Sequence, residues 1–175
     1  MSSCFYKGEI QLNKGDPFAF QVLHLTKAFY QAYPNPPCAE ILKKEQRSYN
    51  CLLVQSHYGY FICIPYRSEI KHHYSYLFKN SHRSNLHKSG LDYTKIVIIV
   101  NSSFISAQSS LIDQDEYVET RKNIRKIKDE ALAFVDDYVN HIKGITVLHP
   151  KEFARRYQYS PLKYFHKELG ITQIS

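Results

Sequence analysis

At 175 residues the chain is the size of a single domain with one core, and 43% hydrophobic against 22% charged residues describes a folded protein rather than a disordered one. No apolar run approaches the ~18 residues of a membrane span, and the opening MSSCFYKGEI lacks the apolar block of a signal peptide, so a cytoplasmic protein is expected. The net charge is +7, from 23 Lys and Arg against 16 Asp and Glu, which suits a polyanionic partner but by itself equally describes a merely basic protein.

Residues 1–16 are polar and glycine-punctuated and read as a loosely attached arm. FAFQVLHL, Phe18 to Leu25, alternates apolar residues at 18, 20 and 22 and reads as a strand. A short helix follows, capped by Thr26 and ended before Pro34, and YPNPPC is a loop. SYNCLLVQ and YGYFICIP are two β-rich runs separated by SHYG, which makes them a hairpin, with Pro65 closing it where no ladder donor is needed. Residues 66–93 are polar, basic and aromatic, and read as one long functional loop. TKIVIIV returns as a continuous apolar strand, placed at the centre of the sheet.

From Asp113 the apolar positions Tyr117, Ile124, Ile127, Ala131, Phe134, Val135, Tyr138 and Ile142 hold a helical period that ends at Gly144. Asp113 and Glu116 have the spacing of a capping box. A helix of about 28 residues would run roughly 42 Å, right across a sheet. Its basic stretch TRKNIRKIK reads as a solvated face. A last helix is expected from Ser160, with Pro161 in its first turn, to Gly170. The fold class is therefore mixed α/β: a strongly twisted antiparallel sheet of five or six strands, one long helix against it, and a basic segment at one edge.

The four cysteines, Cys4, Cys38, Cys51 and Cys63, form no CxxC pair, so neither a zinc site nor a disulfide framework is expected, and Cys51 and Cys63 read as small core residues. With six glycines and no glycine-rich loop, dinucleotide and P-loop signatures are absent.

The chemistry concentrates in IPYRSEIKHHY, Ile64 to Tyr74, where an apolar strand runs into cations and proton carriers. From Arg67 to Lys95 there are six Lys or Arg, only two acids (Glu69 and Asp92) and four of the nine histidines, interleaved with tyrosines. Phosphates select such cations and single-stranded bases select such flat rings. Cleaving an RNA phosphodiester without a metal needs an activated 2′-hydroxyl, cations on the non-bridging oxygens and a proton for the departing 5′-oxygen. Arg67 and Lys71 supply the cations in kind, His72 or His73 the proton transfer and Ser68 a hydrogen bond. A metal site of His72, His73, His82 and His87 is the weaker reading, since no carboxylate cluster accompanies them. A serine hydrolase is weaker still, for want of GxSxG. A basic surface that binds RNA without cutting it stays open.

YFICIPYRSEIKHHYSY, SGLDYTKIVII and the closing YSPLKYFHKELGI, in this order from about Phe18 to Ile171, resemble the TenpN branch of the ToxN/AbiQ toxins of type III toxin–antitoxin systems. The resemblance implies a metal-independent endoribonuclease without cofactor that leaves 2′,3′-cyclic phosphate ends and serves bacteria in phage defence. It implies inhibition by a repeated, structured small RNA that the protein itself processes, within a closed protein–RNA assembly. It implies a fold like the MazF and Kid toxins, a small twisted sheet partly closed as an SH3-type barrel. Ser68 and Lys71 match the serine and lysine that follow the family's proline-ended strand, although Lys71 stands three positions after the serine where some relatives have two. Arg67 and His72 belong to the same motif, for phosphate binding and proton transfer. The family's electropositive groove would enlist Tyr66, His73, Lys79, Arg83, Lys88, Tyr93 and Lys95 for RNA. His166 would either reach the same cleft or pack a helix.

Overall fold

The structure, a computed structural model, describes residues 19–43 and 49–172; the expected N-terminal arm and Cys4 lie outside them. The chain runs β1 (Gln21–His24), α1 (Lys27–Ala32), β2 (Asn50–Gln55), β3 (Phe61–Arg67), β4 (Ser75–Leu77), α2 (His82–His87), β5 (Gly90–Asp92), β6 (Val97–Ile99), α3 (Gln114–Ile142) and α4 (Pro150–Tyr157). Short 3-10 turns lie at Tyr93–Lys95, Ser102–Phe104 and Pro161–Tyr164. The six strands pair antiparallel in the order β1-β2-β3-β5-β4, with β6 also on β3. Among the described residues β1 pairs only with β2 and β4 only with β5, so the antiparallel sheet is not closed into a barrel.

The central strand is β3, whose Ile62, Cys63 and Ile64 have no exposed surface. It pairs along its length with β2 (Cys51↔Pro65 to Gln55↔Phe61). On its other side it meets β6 at residues 61–63 and β5 at residues 66–67. Pro65 therefore does not end the strand. It stands in the gap between those two partners, where the ladder on that side is interrupted and a missing N–H costs nothing there. For the same reason TKIVIIV is not central: Val97–Ile99 pairs with β3 alone, and its unbroken apolar character comes from burial rather than from two strand neighbours.

The expected long loop 66–93 is a folded unit of β4, α2 and β5. Its apolar residues are spaced too irregularly to show a period, yet Gly90 lets β4 and β5 close. A Cβ there would lie 2.2 Å from the Tyr76 carbonyl oxygen. Thr26 does begin α1, but its hydroxyl donates to the Ser103 carbonyl (2.7 Å) rather than capping the helix.

Helix α3 buries Ile124, Ile127, Ala131, Phe134, Val135 and Tyr138 on one face, at the expected period. Two sheet tyrosines and one from the turn after β5 tie it down through their hydroxyls: Tyr66 to Thr120 (3.2 Å), Tyr76 to Glu119 (3.3 Å) and Tyr93 to Glu130 (2.7 Å). Burial pushes the Tyr76 hydroxyl up to about 12 and raises Tyr66 and Tyr93 as well, so all three stay neutral, and Tyr76 and Tyr93 donate to the glutamates. The capping box does not form. Asp113 makes no side-chain cap, and the fully buried Glu116 turns instead to Arg83 and Ser89. Helix α4, which the apolar pattern did not reveal, begins at Pro150 under a His149 cap and docks through Tyr157, whose hydroxyl donates to the Phe134 carbonyl (2.7 Å). The expected C-terminal helix is one 3-10 turn, with the Ser160 hydroxyl accepting from the Leu162 amide (3.4 Å).

Candidate active site

The site is built where β3 ends. Register sets Arg67 opposite Gly90 on β5, and Asp92, two residues further, opposite Ser75 on β4. Asp92 has no exposed surface, and each of its carboxylate oxygens is engaged. Oδ2 accepts from Nη1 of Arg67 in a close ion pair. Oδ1 accepts from the Thr94 amide (2.9 Å) and hydroxyl (2.6 Å) and faces His72 Nε2 at 3.3 Å. Burying this carboxylate costs free energy unless charge and donors match it, and here one cation and the Asx turn at Asp92–Thr94 do so. Arg67 keeps 27% of its side chain exposed, leaving guanidinium donors for an external anion.

His72 turns inward. Its Nε2 lies between Asp92 Oδ1 and the Thr94 hydroxyl (3.4 Å), while Nδ1 is buried without a hydrogen-bond partner. A proton on Nε2 satisfies Asp92 and leaves Nδ1 a bare lone pair, the arrangement with the fewest mismatched groups. A third of the side chain (33%) is exposed, but Nδ1 is buried and Nε2 is engaged by Asp92 and Thr94. His73 is exposed and lies against the Tyr74 ring, centroids 4.1 Å apart.

After Arg67 the chain leaves the sheet through Ser68 and Glu69. Glu69 has φ +58°, a left-handed conformation uncommon for a residue with a Cβ. The turn is held by Glu69 N–H donating to the His87 carbonyl (2.6 Å) and by Ile70 N–H donating to that of Lys88 (3.4 Å), and Lys88 is itself left-handed at φ +45°. Ile70 is buried as the anchor. Ser68 is half-buried and Lys71 exposed, and among the described residues neither side chain has a hydrogen-bond partner. The turn that follows Arg67 thus carries one hydroxyl and one ammonium that no described residue engages.

Of the other expected RNA contacts, Lys95 is near this cluster but turned into the protein. Its Nζ donates to the carbonyls of Tyr159 (2.6 Å) and Glu40 (3.3 Å). Burial lowers its pKa, opposed by Asp92 and reinforced by Arg67. Lys79 and Lys88 are exposed. Arg83 is committed to Glu116 through Nε (3.1 Å) and Nη2 (2.8 Å). Tyr66 and Tyr93, expected as stacking platforms, are 5% and 4% exposed, so as folded neither ring offers a face to a base. His166 packs against α3: its Nε2 meets the Tyr138 hydroxyl at 2.8 Å and its ring lies 5.9 Å from that of Tyr138.

A cavity of about 950 Å³ opens beside this unit, between the turn into α2 and the first half of α3, lined by Tyr76, Lys79, His82, Arg83, Lys122 and Lys126 among others. Asp113, Asp115 and Glu119 also line it, and two of these carboxylates are held by backbone amides. Glu119 accepts from the amides of Lys79 (3.0 Å) and Asn80 (3.1 Å), and Asp115 accepts from that of His82 (2.7 Å). Lys79 and Lys122 are exposed at its wall, and the Lys126 ammonium stands 5.9 Å from the Tyr76 ring centroid.

Sequence reasoning assigned Asp92, Thr94 and Glu69 no place in the site, and His87 only that of a candidate metal ligand. One signal was available: Asp92 and Glu69 are the only acids in an otherwise basic stretch, and both are paired. Among the described residues no three His, Cys, Asp or Glu side chains converge as a metal-binding group, and no helix is long and apolar enough to cross a membrane. Cys38, Cys51 and Cys63 are buried free thiols, and burial lifts Cys51 to about 12. In comparisons with known proteins, no family model, no curated protein and no solved structure matches the chain.

Proposed function

We propose that the protein is a metal-independent endoribonuclease toxin of the TenpN kind, cutting RNA by attack of a 2′-hydroxyl on its own phosphodiester. The observation that carries the reading is the pairing of Arg67 with buried Asp92 at the end of β3, with the unengaged Ser68 hydroxyl and Lys71 ammonium on the turn that follows. Arg67 holds the phosphate with the guanidinium donors that Asp92 leaves free. Ser68 donates a hydrogen bond to a non-bridging oxygen, and Lys71 offsets the charge that grows on phosphorus in the transition state. His72, with Nδ1 buried and Nε2 against Asp92 and Thr94, orients Asp92 in this reading. The cavity walled by Lys79, Lys122 and Lys126 accommodates the flanking strand, whose phosphates face cations along α3.

The same reading makes the regulatory partner a small RNA with tandem repeats, bound in a closed protein–RNA assembly, the substrates cellular or phage RNA, and the compartment the bacterial cytoplasm. It also makes the six-stranded sheet the counterpart of the small barrels of MazF and Kid. The competing reading is a basic surface that binds RNA without cutting it, favoured by the number of cations already engaged internally, Arg83 and Lys95 among them.

The test is incubation of the purified protein and of Ser68→Ala with a long RNA in excess EDTA, with identification of the 3′ ends. Cyclic-phosphate ends from the wild type alone support the nuclease. Intact RNA despite tight binding moves the reading to a binding protein, and cleavage abolished by EDTA makes the chemistry metal-dependent.

A further inference from the structure

The nuclease reading requires a group that takes the 2′-hydroxyl proton, and in His72 Nδ1 is buried while Nε2 is already engaged by Asp92 and Thr94. The fold supplies another imidazole at the same turn. His87, the last residue of α2, lies directly across from Glu69, because the Glu69 amide donates to the His87 carbonyl at 2.6 Å. This bridge continues the β3–β5 side of the sheet beyond the Arg67↔Gly90 pair, so His87 flanks the Ser68–Lys71 turn.

Its side chain is also oriented. Nδ1 meets Glu69 Oε1 at 2.8 Å, while 53% of the His87 side chain is exposed. A carboxylate on Nδ1 holds the proton there and leaves the Nε2 lone pair for an outside donor. This is the oriented base that His72 is not. The backbone around it is built to keep the pair in register: Glu69 and Lys88, both left-handed, are the only described residues other than glycine with positive φ. Such strain persists where surrounding contacts over-determine it, and here it brings a carboxylate and an imidazole face to face.

Resting on the nuclease reading above, we propose that His87, oriented by Glu69, is the general base of the cleavage. Its Nε2 removes the 2′-hydroxyl proton as the O2′–P bond forms and the P–O5′ bond breaks. The Lys71 ammonium gives its proton to the departing 5′-oxygen. His87 then carries the proton taken from the 2′-hydroxyl, Lys71 is left one proton short, and exchange with water resets both. The charged groups around the imidazole are Glu69, in contact, and Lys88 and Lys71, its neighbours on the two sides of the turn. Arg83, one helical turn earlier on α2, is held by Glu116.

The experiment compares wild type, His87→Gln, Glu69→Gln and His72→Gln in single-turnover cleavage of a long RNA from about pH 5 to 9. Binding is measured in parallel with 2′-O-methylated RNA, which has no nucleophile. The expected result is a fall of about 10² to 10⁴-fold for His87→Gln with binding unchanged and the acidic limb of the profile lost. Glu69→Gln should show a smaller fall. His72→Gln should lower the rate through Asp92 but keep the acidic limb. Wild-type cleavage with an intact acidic limb in His87→Gln overturns this proposal alone, and absence of cleavage by the wild type overturns the nuclease reading and the proposal together.

Discussion

Arg67, the last residue of β3, donates from Nη1 to Oδ2 of Asp92, the last residue of β5, and the carboxylate that receives it has no exposed surface. The pair ties the active-site turn to the sheet. Asp92→Asn leaves a guanidinium without its counter-charge and weakens the Thr94 turn. Removing one partner of a buried pair costs about 3 to 5 kcal/mol, and because Arg67 is partly exposed the expected loss is about 3 kcal/mol. Urea unfolding of the variant measures this, and a midpoint equal to that of the wild type would mean that the pair does not hold the turn.

Gly90 sits where β4 and β5 approach most closely. An alanine Cβ would lie 2.2 Å from the Tyr76 carbonyl oxygen, which is backbone and cannot swing aside. Gly90→Ala should therefore cost about 3 kcal/mol, the upper part of the range for overpacking, and should disturb Arg67 through its register partner. Gly90→Ala should lower both the unfolding midpoint and RNA cleavage. Normal stability would mean that β4 shifts without cost.

The cations of α3 are predicted to contact phosphates. Lys122→Ala with Lys126→Ala removes two contacts at most, and for a single strand the slope of log affinity against log salt should become shallower by about 1.4. Fluorescence anisotropy over a salt series gives the slope directly. An unchanged slope would remove the cavity beside α3 from the RNA path.

Glu40 joins the loop before β2 to the C-terminal turn. It accepts from Lys163 (2.7 Å) and from the Tyr164 hydroxyl, and these hydrogen bonds hold its carboxyl down at about 2. The folded value lies below the unfolded one of 4.5, so the contribution is fully present above pH 4.5 and is lost as pH falls toward 2. Near-surface screening keeps it under about 1 kcal/mol. Stability measured against pH should fall less steeply across that acid window in Glu40→Gln than in the wild type.

The elements with a strong period were legible in the sequence. The apolar face of α3, from Ile124 to Tyr138, recurs at the helical spacing, and the β2–β3 hairpin is two apolar runs about a glycine turn. So was the chemical character of Arg67, Ser68 and Lys71, because side-chain type at a strand's end is a local property. β4 and β5 were not legible: each is too short to show alternation, and their pairing depends on a close approach of Gly90 to Tyr76.

The finer assignments were decided by tertiary structure. Whether Tyr66 and Tyr93 face a base or α3, whether Glu116 caps its own helix or pairs with Arg83, and which histidine keeps a nitrogen in reach all depend on partners many positions away. Asp92 reads in the sequence as one acid among cations. Only β5, laid between β3 and β4, buries it against Arg67, and its burial makes the charge a constraint on the whole turn. Residue type sets what chemistry is available, whereas desolvation and register, which arise when distant segments meet, decide which groups remain free to perform it.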